Sequence, residues 1–113
     1  MLRDYTQRYS FDVTISYHAM GSVLYYEYGK KSNANTQGLS LANAVNGVTG
    51  YPLLDSDGVD GAGYKDWAIA EKNIPSLTIE IGSQDTPLVK RELYSVLVRN
   101  LEVFPTIVQW IRK

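Results

Sequence analysis

Between Ser76 and Ile81 the chain reads SLTIEI, with Leu77, Ile79 and Ile81 alternating with Ser76, Thr78 and Glu80. A period of two predicts a strand with one apolar face, and that face has to be covered by other parts of the chain. Asp12 to His18, DVTISYH, repeats the pattern, with Val13, Ile15 and Tyr17 on one side and Thr14, Ser16 and His18 on the other. Ser22 to Tyr26, SVLYY, predicts a third strand, and the short break at Ala19-Met20-Gly21 allows a hairpin between it and the second. With 113 residues there is room for one domain with a modest core.

The cover is predicted from helical spacing. Leu39, Leu41, Ala42, Ala44 and Val45 fit a short amphipathic helix over 39–48, with Ser40 near its start and Gly50 as its stop. Residues 29–38, GKKSNANTQG, read as a polar surface loop. Tyr51 to Gly63 holds Pro52, Gly58, Gly61 and three aspartates, and reads as a long loop. Tyr64 to Lys72 predicts one or two helical turns, ended by Asn73 and by Pro75, which disfavours helix at Ile74. From Val89 to Trp110, apolar residues recur at spacings of three and four, so a long helix is expected, and Pro105 predicts a kink or break near Leu101 to Phe104. The pattern as a whole is α/β: a small mixed sheet with helices packed on it.

Eleven basic against twelve acidic residues give a formal charge of −1, so there is no cationic surplus for nucleic acid. The absence of cysteine removes disulfides, thiolate nucleophiles and Cys-ligated metals, and leaves any metal to His, Asp and Glu. No apolar run approaches the roughly 18 residues of a membrane span, and MLRDYTQRYSFDV lacks the apolar stretch of a secretory leader. A soluble chain with no membrane partner is expected. Asp55, Asp57 and Asp60 are spaced somewhat like a calcium loop, but Val59 stands where an oxygen ligand is needed, and solvated turn residues are the simpler reading.

Two residues draw attention as chemistry. His18 is the only imidazole, at the end of a predicted strand; a hydrogen-bonded structural role competes with metal or acid–base work. Glu80 is a carboxylate in an otherwise apolar strand, which has to reach water or a partner because burying it alone is costly. If their two strands are parallel neighbours, both emerge at the rim where open α/β sheets bind ligands.

His18-Ala19-Met20-Gly21-Ser22-Val23-Leu24-Tyr25-Tyr26-Glu27-Tyr28 resembles the second signature of the M14 zinc carboxypeptidases: a ligand histidine, a small residue, three free positions, an aliphatic, two free positions, then aromatic, proline, aromatic. Glu27 stands where that pattern has proline. GYKDWAIAEKNIPSLTIEIG is similar to the family's Asp-Trp helix and the strand that carries its catalytic glutamate, with Asp66 fourteen residues before Glu80. The wording looks closest to the bacterial branch with cell-wall γ-D-glutamyl endopeptidases.

The resemblance implies the C-terminal part of a zinc-carboxypeptidase-like (phosphorylase/hydrolase-like) fold, 1–113 forming a single partial domain. It implies Zn2+ as cofactor, His18 as a zinc ligand, Glu80 as the general base, and a peptide or peptidoglycan stem peptide as substrate. Ala19 takes the place of the serine often found after the ligand histidine, where the family uses mainly backbone. For the family's mobile-loop tyrosine an ungapped match gives Gly58, so Tyr51 and Tyr64 join Ala19 as substrate-binding candidates, the tyrosines set against ordinary structural ones. The family's His-x-x-Glu motif and its carboxylate-clamping arginine would precede His18, and the chain has a single histidine. The expectation is a fragment, split subunit or truncated gene product, with weak or absent zinc binding in isolation. It either completes its site with an N-terminal half or persists as an inactive binding module that self-associates through an open sheet edge.

Overall fold

In a computed structural model, residues 1–19, 21–27, 33–54, 63–82 and 90–112 are described. In chain order they form α1 (Leu2–Arg8), β1 (Thr14–Ala19), β2 (Val23–Tyr25), α2 (Asn33–Thr49), β3 (Leu53–Leu54), α3 (Tyr64–Lys72) and β4 (Ser76–Ile81). A 3-10 turn at Lys90–Glu92 leads into α4 (Leu93–Asn100) and then α5 (Val103–Ile111). The architecture is mixed α/β, a four-stranded sheet of order β1-β4-β2-β3 with helices against it. β4 runs parallel to β1 and antiparallel to β2, and β2 runs parallel to β3.

The expected hairpin between β1 and β2 does not form. β4 lies between them and pairs with both. Ser76 to Ile79 are all buried, so this strand suits the centre, whereas Tyr17, His18 and Ala19 at the end of β1 are exposed and tolerate an edge.

One sheet face carries Leu24, Leu77 and Ile79, which join Leu41, Ala42 and Val45 of α2, Tyr51, and Val103 and Ile107 of α5 in the main core. Ser76 and Thr78 belong to the other face, and they too are buried; α3 lies against β4 and β1. The Thr14 and Ser76 hydroxyls meet at 2.6 Å across the β1–β4 pair, and Ser76 Oγ donates to the Ile74 carbonyl. These polar groups are therefore buried with partners.

Helix α2 begins six residues before the expected 39–48 helix, and takes in residues 33–38 of the predicted loop. The missing signal is tertiary: Asn73 Oδ1 accepts a hydrogen bond from the Ala34 backbone N–H, capping α2 from 39 residues away in sequence. Asn73 itself ends α3 in the left-handed region, with φ +54° and its own N–H donating to the Ile69 carbonyl. At the far end, Gly50 at φ +75° stops α2 as its position suggested.

Within the predicted loop from Tyr51 to Gly63, Leu53–Leu54 adds a short strand on β2; Gly58 and the aspartates of the calcium-like stretch lie outside the described residues. The long C-terminal helix is two helices, broken at Leu101-Glu102. Pro105 falls in the first turn of α5, where its missing donor costs little.

Glycine has opposite consequences at two places in α2. A Cβ at Gly38 would sit 2.8 Å from the Tyr26 carbonyl oxygen, whereas one at Gly47 meets nothing within 4 Å. Gly38→Ala is expected to destabilise the chain by about 1–3 kcal/mol through this backbone clash. Gly47→Ala is expected to stabilise it by about 0.5–1 kcal/mol through helix propensity alone. Urea denaturation of both variants beside the parent chain checks the two signs.

Candidate active site

His18 and Glu80 are register partners on the parallel pair β1 and β4. Paired strands lie about 4.8 Å apart, and opposed residues in register share a face, so the imidazole and the carboxylate stand side by side at the C-terminal rim. Both belong to the face opposite Leu77 and Ile79. His18 is exposed and Glu80 half-buried, so both side chains have access to water.

On the other flank of Glu80 stands Val23 of β2. The chain between β1 and β2 turns over this end of the sheet at Gly21, whose φ of +129° a side chain rarely adopts. Gly21 N–H and Ser22 Oγ–H both donate to the Gly82 carbonyl, at 3.3 and 2.6 Å. Ser22 is held at φ +54°, and Gly82 at +82°. Backbone strain of this kind costs roughly 1–3 kcal/mol for a non-glycine residue and is concentrated at working sites. Here it fixes the two strand ends around Glu80.

Ala19 follows His18, exposed and paired with Ile81. The two candidate tyrosines lie apart from the pair. Tyr64 donates or accepts a 2.6 Å hydrogen bond with Thr6, and lines a hollow with α1 and the first half of β1. Tyr51 is buried in the main core; its hydroxyl accepts a hydrogen bond from Asn100 Nδ2 at 3.1 Å, and the Arg99 guanidinium lies 5.4 Å from its ring centroid.

The sequence pattern places Tyr17 on the face of Val13 and Ile15, but gives no sign of Arg99. The alternation of β1 sends Tyr17 to the face opposite His18, toward Tyr51, and this was readable in principle. The placement of Arg99 over Tyr51, 48 positions earlier in the chain, has no local signal. Partial burial pushes the Tyr17 phenol above its ordinary pKa, and repulsion from the neighbouring Tyr51 adds to the effect.

No protein-family model matches the chain. Over 103 residues, 91% of its length, it is 28% identical to gamma-D-glutamyl-L-diamino acid endopeptidase 1 of Lysinibacillus sphaericus, and the match covers 25% of that protein. The chain is similar to one quarter of a peptidase. The chain spans about a quarter of that relative's length.

As a metal site the described residues are incomplete. A catalytic zinc takes three protein ligands and a water, and no three of His, Cys, Asp and Glu come together among the described residues. What the rim does offer is an acceptor for a proton, Glu80, beside an imidazole that can accept, donate or ligate.

The raised pKa of Tyr17 has a consequence at high pH. A phenol that ionises later in the folded chain contributes stability that is present below its unfolded pKa, about 10, and is lost as the pH rises through the folded value. Thermal melts between pH 8 and 11 should show Tyr17→Phe losing less stability across this window than the parent chain does.

Proposed function

We propose that the chain carries part of the active site of a zinc-dependent metallopeptidase of the M14 carboxypeptidase type. The observation that supports it is the register pairing of His18 with Glu80, on the strands where the motif resemblance puts a ligand and a base. In this reading His18 is one zinc ligand. The remaining ligands come from outside the described residues, from an N-terminal part with a His-x-x-Glu motif.

Glu80 has the base's task. Its carboxylate takes a proton from the attacking water, an oxygen–carbon bond forms at the scissile carbonyl, and the same proton passes to the leaving amine as the carbon–nitrogen bond breaks. The half-exposed rim position suits this exchange, because it leaves the carboxylate open to water and substrate. The substrate is proposed as a peptide or a peptidoglycan stem peptide, in keeping with the γ-D-glutamyl-diamino acid bond in the name of the similar endopeptidase.

Calorimetric titration with Zn2+ tests the assignment. The chain alone is expected to bind weakly, His18→Ala to abolish what binding there is, and neither to hydrolyse peptide. Mixing with a separately produced polypeptide that carries the His-x-x-Glu motif should raise zinc affinity and bring turnover that Glu80→Gln removes. Robust turnover by the chain alone, lost in Glu80→Gln, would refute the need for a completing half.

A second reading, a non-catalytic module that associates with itself, is favoured by two surface features. β1 ends the described sheet with no strand on its outer side. Leu93, Leu97, Leu101 and Phe104 are all exposed at spacings of four, four and three along α4 and α5. Unpaired strand edges and apolar stripes favour association. Light scattering over a concentration series is expected to show dimers or larger species, and a monomer at millimolar concentration would discount this reading.

A further inference from the structure

A cavity of about 310 Å³ opens at the same rim as Glu80 but on the other side of the sheet. Its lining includes Ser22, Gly82, Tyr51, Arg91, Glu92 and Arg99. Arg91, Ser95 and Arg99 recur at intervals of four, so one side of the 3-10 turn and α4 is directed at the rim where Ser22 binds the Gly82 carbonyl. Glu80 belongs to the opposite face and is absent from this lining.

The charge balance decides what the cavity can hold. Among the described residues of its lining, two guanidinium groups stand beside one carboxylate, Glu92, a positive surplus in a chain whose overall charge is −1. The ion pair between Lys65 and Asp66 lies elsewhere, on α3, and involves neither arginine. Arg99 is also held in place: its guanidinium rests 5.4 Å from the centroid of the Tyr51 ring, and that ring is buried and anchored by Asn100. A guanidinium held over an aromatic ring can still offer its N–H groups to the two oxygens of a carboxylate. A donor already oriented loses little freedom on binding.

We propose that this cavity is a carboxylate-binding subsite, with Arg99 as its fixed donor and Arg91 as its second cation, and that it takes the acidic group of an amino-acid residue. Carboxylate capture stands independently of hydrolysis. That the captured group belongs to the peptide being cleaved beside Glu80 rests on the metallopeptidase reading.

The test uses the full chain and binding alone, so a failure of peptidase activity does not decide it. Glutarate is titrated into the chain, followed by tryptophan-independent amide NMR shifts, with uncharged glutaramide as the comparison. Glutarate is expected to bind saturably, with the largest shifts at Ser22, Gly82, Ser95 and Arg99, and glutaramide at least about tenfold more weakly, the scale of a lost charge-assisted hydrogen bond. Arg99→Gln and Arg91→Gln should each weaken glutarate, with Arg99→Lys in between, because it keeps the charge and loses the fork. Arg91 is exposed, so its variant reports even where Arg99→Gln perturbs folding. Equal binding of glutarate and glutaramide, shifts spread over the whole surface, or no change in the Arg91→Gln variant would overturn the subsite.

Discussion

The parallel pairing of β1 with β4 is the constraint on which the remaining architecture depends. It joins residues 62 apart in sequence, Thr14 with Ser76 through Ala19 with Ile81, without a slip. A shift by one residue would move Leu77 and Ile79 out of the core and turn Ser76, Thr78 and Glu80 into it. The penalty is high on both counts, since the apolar side chains lose burial worth about 1.5–3 kcal/mol each and an unpaired carboxylate enters the interior. The hydrogen bond between Thr14 and Ser76 hydroxyls anchors the start of the same pairing from the polar face. Register is therefore fixed from both faces, and the position of His18 beside Glu80 follows from it.

A parallel pair cannot be closed by a tight turn, and the intervening chain has to cross over the sheet. That chain contains β2, α2, β3 and α3, and its two helices are tied to each other by one side chain. Asn73 ends α3 with its backbone in the left-handed region and caps the start of α2 with its amide oxygen. Lys65 of α3, itself buried, donates to the Glu27 carbonyl just beyond β2 and pairs with Asp66. A buried ammonium is tolerable there because each of these oxygens partly replaces its hydration.

The legible parts of the fold were those with a local cause. SLTIEI and TISYHA alternate, and an alternating strand declares its own faces; YKDWAIAEK is a compact helical stretch between Gly63 and Asn73; Pro105 and its neighbours announced a break in the C-terminal helical region. The parts that misled had causes elsewhere in the chain. Residues 33–38 look like loop because they are polar and contain Gly38, yet Asn73 supplies their cap, and the close approach of the Tyr26 carbonyl requires the glycine. The short gap between β1 and β2 suggested a hairpin, and the answer turned on a third strand whose apolar residues claim the centre. At the rim, His18 and Glu80 stood out as polar residues in apolar strands, whereas the stacking of Arg99 on Tyr51 depends on how α4 settles against the core.

The two faces of the sheet meet at Gly82, which gives the rim its chemical logic. Along β4 successive side chains point to opposite faces, so Glu80 serves one side and the core under Tyr51 serves the other. Beyond Ile81 the strand ends, and Gly82 at φ +82° turns the backbone with its carbonyl held by Gly21 and Ser22. The face with the carboxylate and imidazole and the face with the two guanidinium groups thus border the same turn. A negative group seated at Arg99 would lie on the opposite side of the sheet from Glu80, because successive residues of β4 alternate between the two faces.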